Sequence, residues 1–468
     1  MRPHLSLPLV GVFASVAQAH TVFTTLFIND VNQGDGTCVR MPMDPDTCTN
    51  PIAGLQSQDM ACGRDGQKAV AFTCPAPAGA KLTFEFREWA DASNPGAIDK
   101  SHAGPCAVYL KRVADMATTP AAGDGWFKIW ESGYDAGARK WCTEKLIDNA
   151  GLLSVALPTG LPTGYYLVRP ELLALQNVQA ADPQFYVGCA QLFVQGAADA
   201  ADTLNVPADR QVRIPGHVAA GQAGVTFDIY ARPLALPYKI PGPAVYFPSS
   251  SSSPPRRRRL HAADRRASGQ AQQTQGRIPA DCLAKNANWC GHEVASYRGE
   301  AGCWAASEAC YDQQAACYAS APPTGSAGCE AWGRKCDGIQ AACGAGRFVG
   351  PPAVAAGELK VAQAPVPGAI PDAEPVVVVA EEDSGASAGS AAASSAASTA
   401  ATVTAPAAVT APAAVTAPAA VTAPTAVATS PAVAAPPAVA APGHRCLWRW
   451  AAVTAPGHRC RWRWPGLW

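Results

Sequence analysis

The alternation of apolar and polar residues predicts a first domain built from short strands. Lys81–Arg87 reads KLTFEFR, the period-two pattern of a strand with one buried face. Further strands are predicted at 107–110, 165–169 and 184–194, between turns rich in Gly, Pro and Asp. Because residues 20–238 contain few long helical patterns, this region is predicted to be a β-sandwich or a barrel.

The first nineteen residues have the pattern of a secretory signal. Arg2 gives a positive start, 5–16 is a short apolar run, and AQA at 17–19 is a small-x-small cleavage site. The run is shorter than the roughly 20 apolar residues that span a bilayer. We therefore expect a signal peptide at 1–19, cleavage before His20 and an extracellular protein.

A second folded unit is predicted at 280–346, after a Ser/Pro/Arg-rich linker at 239–279. The linker composition cannot bury a core and predicts disorder. The unit holds eight cysteines, and its helix-compatible run at 302–310 predicts a mostly helical module with four disulfides. A zinc site is the less favoured alternative, because the unit has no CxxC pair and His292 is its single histidine.

The remaining residues, 347–468, form a low-complexity tail rich in Ala, Pro, Thr and Val. Six-residue repeats run from Val403 to Thr425, and Trp/Arg-rich segments recur at 442–450 and 456–464. We assign no function to those segments. The 36 basic and 36 acidic residues of the chain cancel, which gives no support for a nucleic acid or a membrane as partner.

Cleavage before His20 would create an unusual metal-binding group. The α-amine and Nδ1 of an N-terminal histidine can chelate one ion, and a second imidazole would complete a three-nitrogen set that favours Cu(II). The first domain offers two further histidines, His102 and His217. His102 lies in the turn-rich loop DKSHAGP, and loops on a rigid sandwich commonly carry ligands.

Five segments in a fixed order resemble one known family. QAHTVFTTLFINDVNQGDGTCVRM, SHAGPCAVYL, WFKIWESGYD, GYYLVRPELLAL and DPQFYVGCAQLFV are similar to the fungal lytic polysaccharide monooxygenases of auxiliary activity family 9, formerly glycoside hydrolase family 61. The similarity extends through nearly all of residues 20–195 and is greatest to the members that oxidise C1 of cellulose. It implies an immunoglobulin-like, fibronectin III-like β-sandwich with one type 2 copper on a flat face. The segment at 280–346 resembles a C-terminal extension of unknown function found in some of these enzymes.

The resemblance assigns roles residue by residue. His20 supplies its amine and Nδ1 to copper, His102 supplies the second imidazole, and Tyr186 occupies the axial side. Gln184 matches the glutamine that contacts the oxygen species. Cys62 and Cys189 match a disulfide of the family; Cys106 with Cys142 and Cys38 with Cys74 are candidate pairs, which leaves Cys48 over.

One position departs from the family pattern. Members usually read ELLALH, whereas this chain has Gln176 in place of the histidine that helps to position and protonate bound oxygen. Gln176 can donate a hydrogen bond but cannot carry a proton at neutral pH. Two hypotheses follow: a copper monooxygenase, or a secreted copper- or carbohydrate-binding protein of the same fold with weak or lost activity.

The implied reaction is oxidative cleavage of cellulose or another β-1,4-glucan. Copper reduced by an external donor, either a small reductant or cellobiose dehydrogenase, would use O2 or H2O2 to hydroxylate C1. A pair of hydrolase carboxylates is not required. Tyr230 and Tyr238 are candidate surface tyrosines that could stack on sugar rings, with ordinary packing as the alternative. The protein is expected to act as a monomer.

Overall fold

The computed structural model describes residues 20–196, 203–249, 271–354 and 357–376. The predicted signal peptide and the Trp/Arg-rich segments lie outside these residues. The helices are α1 (Cys142–Asp148), α2 (Glu300–Ser320) and α3 (Ala327–Gly344). The strands are β1 (Val22–Ile28), β2 (Val31–Asn32), β3 (Val39–Arg40), β4 (Cys74–Pro77), β5 (Lys81–Arg87), β6 (Cys106–Val113), β7 (Gly123–Ser132), β8 (Tyr134–Asp135), β9 (Lys140–Trp141), β10 (Leu152–Ala156), β11 (Gly164–Ala174), β12 (Gln184–Val187), β13 (Cys189–Gln195), β14 (Gln211–Ile214), β15 (Ala284–Asn286), β16 (Trp289–Gly291), β17 (Tyr297–Arg298) and β18 (Val349–Gly350).

Two sheets form the sandwich. The first has four antiparallel strands in the order β10-β5-β1-β2, with Phe84 opposite Leu26 and Leu153. The second has the order β14-β7-β6-β11-β13-β3, with β12 beside β11 and β4 parallel to β13. The predicted fold class, an all-β sandwich, is confirmed.

Polar residues of β5 are buried together with its apolar ones. The sequence pattern predicted one buried face, yet Thr83, Glu85 and Arg87 are each at most 5% exposed. Arg87 pairs with Glu85 at 2.6 Å and with Asp35 at 2.7 Å, and these hydrogen-bonded ion pairs offset the cost of burying the charges. The expectation of a half-buried strand is therefore wrong on the polar side.

The second sheet is buried on both faces. Val108 and Leu110 of β6 pack in the core between the sheets, whereas Tyr109 between them points to a second cluster on the other face. Residues 214–229 cover that face, and apolar side chains such as Ile214 and Val225 belong to the second cluster. This explains why the strands read as nearly continuous apolar segments.

The described ends of the predicted linker contact the sandwich. Tyr246 donates its backbone N–H to Lys128 O at 2.8 Å, and Thr73 N–H donates to Gly276 O at 2.8 Å. Gln275 Nε2 also donates to Asp115 at 2.8 Å. The linker was predicted to be disordered and unable to bury a core, whereas its described ends, 239–249 and 271–279, are hydrogen-bonded to the sandwich.

The cysteine-rich module is a pair of helices with small strand pairs. Its four disulfides are Cys282–Cys290, Cys303–Cys343, Cys310–Cys336 and Cys317–Cys329. The prediction of a mostly helical module with four disulfides is confirmed. Asn288 Nδ2 donates to Gly36 O at 2.7 Å, and Lys285 Nζ donates to Gln33 O at 2.7 Å. Module and sandwich belong to one compact unit.

Three disulfides cross-link the sandwich: Cys38–Cys74, Cys62–Cys189 and Cys106–Cys142. Among the described cysteines Cys48 alone is unpaired, and it is buried. No helix in the described ranges has the length and apolar character needed to cross a membrane.

Candidate functional site

Three aromatic rings converge at the start of β1. The ring centroids of His20 and His102 are 6.2 Å apart and the planes are nearly perpendicular, at 82°. Tyr186 lies 6.2 Å from His20 and 6.0 Å from His102. Residues from three separate parts of the chain thus form a small triangle of nitrogen and oxygen donors.

A tight loop before β6 positions His102. Its backbone N–H donates to Asp99 O at 3.0 Å, and the Asp99 side chain accepts from the N–H of Ser101 at 2.8 Å. These turn contacts hold the ring against the sandwich, where it is 5% exposed. The backbone N–H of Leu175 donates to Ala103 O at 3.0 Å and joins the loop to the end of β11.

The Nε2 atom of His102 is buried and has no hydrogen-bond partner. On the other side of the ring, Nδ1 lies 3.1 Å from Ser101 Oγ. Burial lowers the pKa of His102 and the nearby His20 lowers it further, and together they outweigh Asp99 and Gln184, which raise it. A neutral imidazole with one free buried nitrogen is what a metal ligand requires, so the donors present fit a nitrogen-preferring ion such as Cu(II).

Tyr186 is fixed by strand pairing and by its hydroxyl. Its partner on β11 is Leu172, and its ring is 2% exposed. The Oη atom donates to Gln184 Oε1 at 2.9 Å. Burial raises the pKa of Tyr186, so the phenol stays protonated at neutral pH.

Gln184 connects Tyr186 to the residue that departs from the family pattern. Gln176 donates through Nε2 to the same Gln184 Oε1 at 2.7 Å. Gln184 Nε2 in turn donates to Asp182 Oδ2 at 2.9 Å. The Gln184 amide is held at both ends, and the buried Oε1 atom of Gln176 has no partner.

Asp182 was missed from the sequence. It is exposed, and it also accepts from Asn177 Nδ2 at 3.3 Å. Its position two residues before Gln184 was the available signal, because side chains at i and i+2 share one face of an extended segment.

A buried ionic cluster on the second sheet was also missed. Arg169 is fully buried, pairs with Glu171 at 2.6 Å and donates to Met60 O at 2.8 Å. His217 Nε2 lies 3.4 Å from Glu171. Two charges inside the apolar run YYLVRPELLAL were the signal for such a cluster. His217 therefore belongs to this cluster and not to the His20 triangle.

The two candidate surface tyrosines have different environments. Tyr230 is 53% exposed, and its loop is joined to the loop after β11 by a hydrogen bond from Gln179 to Asp228 at 3.1 Å. Tyr238 is packed, the alternative stated for it: its ring centroid lies 4.9 Å from that of Trp141, and its hydroxyl donates to Gly224 O at 2.7 Å. Because both its ring and its hydroxyl are engaged, Tyr238 is not an open stacking surface.

Clusters of three or more His, Cys, Asp or Glu side chains suited to a metal are absent from the described ranges. The triangle holds two histidines, so a third nitrogen has to come from elsewhere. The α-amine of His20, once released from Ala19, is the donor that would complete the set.

Comparisons with known proteins identify a family. The family description "Auxiliary Activity family 9 (formerly GH61)" matches residues 20–238. AA9 family lytic polysaccharide monooxygenase C of Aspergillus tamarii is 52% identical over 73% of this chain and 89% of that protein. AA9 family lytic polysaccharide monooxygenase H of Botryotinia fuckeliana is 48% identical over 75% of this chain and 78% of that protein. A solved cellulose-active polysaccharide monooxygenase from M. thermophila is 27% identical over 49% of this chain and 99% of that chain, with a TM-score of 0.40.

Proposed function

The chain belongs to Auxiliary Activity family 9 of lytic polysaccharide monooxygenases, and on that premise we propose that it cleaves cellulose oxidatively after secretion and removal of residues 1–19. Enzymes of this family depend on copper and act on polysaccharides. We propose β-1,4-glucan as the substrate and C1 as the oxidised carbon, which gives lactone and aldonic acid ends. The observation that carries the proposal is the triangle of His20, His102 and Tyr186 around a buried, unpartnered His102 Nε2.

His20, His102 and Tyr186 would hold the copper ion. His20 would contribute its freed α-amine and Nδ1, His102 its Nε2, and Tyr186 its protonated phenol. When bound and reduced by a small reductant or by cellobiose dehydrogenase, copper supplies the redox chemistry for hydroxylation by O2 or H2O2.

The surrounding side chains orient the donors. Gln184 Oε1 already accepts from Tyr186 Oη and Gln176 Nε2, which fixes the direction of its amide. Gln176 can hold a neighbouring group by a hydrogen bond, but it cannot deliver a proton at neutral pH. Tyr230, being exposed, offers a ring face to a sugar of the bound polysaccharide.

Gln176 also supports a second candidate function. Without a proton-carrying histidine, the site would bind copper while oxygen activation is slow. The protein would then act as a secreted copper- or carbohydrate-binding protein of the same fold. The engagement of Gln176 Nε2 with Gln184 favours this reading, because it commits one of the two N–H groups of that amide and restricts where the other can point.

Product analysis separates the two functions. Secreted protein loaded with copper is incubated with cellulose and ascorbate, and released oligosaccharides are identified by mass spectrometry. Aldonic acids support C1 oxidation, and C4 ketones would assign the other carbon. Absence of oxidised sugars with every reductant and with peroxide would overturn the enzyme proposal, and unoxidised sugars formed without reductant would indicate hydrolysis.

A further inference from the structure

Helix α2 of the cysteine-rich module carries three aromatic side chains at a regular interval. Trp304, Tyr311 and Tyr318 are each separated by seven residues. Seven residues make nearly two turns, so the side chains lie along one face, about 10.5 Å apart along the axis. The line rotates by only about 20° per step. We call these three residues the aromatic row.

Disulfides hold the aromatic row on the outside of the helix pair. Each aromatic residue directly follows a buried cysteine of α2 that is bonded to α3; the pairs are Cys303–Cys343, Cys310–Cys336 and Cys317–Cys329. Consecutive helical residues point about 100° apart. The row therefore lies beside the buried seam: Trp304 and Tyr318 are 43% and 46% exposed, and Tyr311 between them is half-buried and packs against the core of the module.

Polar groups of α3 flank the middle of the aromatic row. Tyr311 Oη contacts Asp337 Oδ1 at 2.6 Å and Gln340 Oε1 at 3.2 Å, and both partners are exposed. Partial burial and the Asp337 carboxylate raise the pKa of Tyr311 to about 12, so its hydroxyl remains a donor. Ring faces in line with amide and carboxylate acceptors match a sugar chain, which offers apolar C–H faces and hydroxyl donors.

The spacing points to an extended glycan. Along a β-1,4-glucan the same ring face recurs once per disaccharide, and that repeat is comparable to the roughly 10.5 Å between successive members of the row. We propose that the aromatic row binds a β-1,4-glucan chain at the surface of the polysaccharide, with Trp304, Tyr311 and Tyr318 stacking on alternate sugars. For the identity of the glycan, this inference rests on the proposed function.

Other occupants fit the surface less well. Glu308 and Asp312 are exposed near the row, and carboxylates disfavour an anionic lipid surface. A specific protein interface buries roughly 1,000 Å² of surface, which is far more than three side chains on one helix face can offer. Contacts between the module and the sandwich, such as that of Asn288 with Gly36, mean that a glycan held by the row keeps the sandwich at the polysaccharide.

The test is adsorption of the full-length secreted protein to crystalline cellulose. Copper is removed with a chelator and reductant is omitted, so that turnover plays no part. The combined variant Trp304→Ala, Tyr311→Ala and Tyr318→Ala should lower the partition coefficient about tenfold or more. Alanine favours helix, which protects the fold, and far-ultraviolet circular dichroism checks it.

Two matched variants test whether the aromatic rings themselves cause the adsorption. Val349→Ala removes an apolar side chain of the same module that is 71% exposed, and it should leave adsorption unchanged. Tyr311→Phe keeps the ring and removes the hydroxyl, so it should retain most of the adsorption. A folded triple variant that adsorbs like the parent protein would overturn the proposal. So would sedimentation velocity that shows a dimer of the parent protein and a monomer of the triple variant, because the row would then be a contact between two copies of the chain.

The oxidative activity is measured separately on soluble cello-oligosaccharides. The triple variant should give oxidised products at the parent rate, because the row lies outside the His20 triangle. If neither protein gives oxidised products from these oligosaccharides or from cellulose with any reductant or peroxide, the proposed function fails while the adsorption difference still supports the row. Equal adsorption together with normal oxidation would overturn the row and leave the proposed function standing.

Discussion

Gln176 donates a hydrogen bond to Gln184 at 2.7 Å, through Nε2 and Oε1. The same oxygen accepts the hydroxyl of Tyr186 at 2.9 Å. One amide oxygen therefore joins the position that departs from the family to the phenol of the candidate copper site. The functional consequence of the departure depends on whether proton delivery or only positioning is needed at Gln176.

Replacement Gln176→His should accelerate oxygen activation. A histidine titrates near neutral pH and can deliver a proton, and positioned acid–base groups contribute about 10²–10⁴-fold in rate. We expect oxygen consumption with copper and ascorbate to rise at least about tenfold. Ala180→His, on the exposed part of the same loop, is the control and should leave oxygen consumption unchanged. Equal rates for Gln176→His and the parent protein would remove the argument that Gln176 limits activity.

Asp182 should act through Gln184. Asp182→Ala removes the acceptor of Gln184 Nε2. Because one hydrogen bond is worth about 1 kcal/mol, the rate of product formation should fall about fivefold. Asp182→Asn keeps an acceptor oxygen and should restore most of the rate. Copper affinity, measured by calorimetry, should be the same in all three proteins. A change in affinity would show that Asp182 supports metal binding instead.

The Cys62–Cys189 disulfide should contribute strongly to stability. It closes a separation of 127 residues, so replacing both cysteines by serine should lower the free energy of unfolding by about 2–5 kcal/mol. Cys48→Ser is the matched control, because Cys48 is buried but unpaired and its Sγ contact with Pro45 O can be kept by a hydroxyl. Chemical denaturation of both variants checks this, and equal losses would contradict it.

The buried cluster around Glu171 predicts acid sensitivity. Burial alone would raise the pKa of Glu171, but Arg169 and His217 outweigh it and lower the value from 4.5 to about 2. Because the folded-state pKa is the lower one, the contribution is complete above about pH 4.5 and is lost as the pH falls through about 2. Unfolding free energies should therefore decline over this range.

A charge-removing variant isolates that contribution. Glu171→Gln leaves Arg169 without its buried partner and should cost about 3–5 kcal/mol at pH 7, with a weaker decline below pH 4.5. Asp124→Asn breaks an exposed pair with Arg213 and should cost at most about 0.5 kcal/mol. An identical acid profile for Glu171→Gln and the parent protein would contradict the assignment.

Local patterns predicted strands well and their ends less well. Lys81–Arg87 was predicted and observed as one strand, β5. The predicted strand at 184–194 is divided at Gly188 into β12 and β13. A side chain at Gly188 would lie 3.2 Å from the Phe23 ring, and this close approach depends on another strand that the local sequence does not reveal.

The site was predictable only where a family pattern names the residues. His102 stood out as a loop histidine that could join the His20 chelate, but the role of Tyr186 came from the resemblance. Asp182 and the Arg169 cluster depend on contacts between separate elements, which periodicity does not encode. Composition likewise predicted a disordered linker at 239–279. Composition carries no information on hydrogen bonds to distant segments, such as that of Tyr246 with Lys128.

Copper titration of two forms of the chain tests the central claim most directly. One form begins at His20 and the other retains Ala19, which converts the α-amine of His20 to an amide. The account predicts one copper per chain in the first form, and at least about 100-fold weaker binding in the second. Equal affinity in the two forms would contradict the claim that cleavage before His20 creates the metal site.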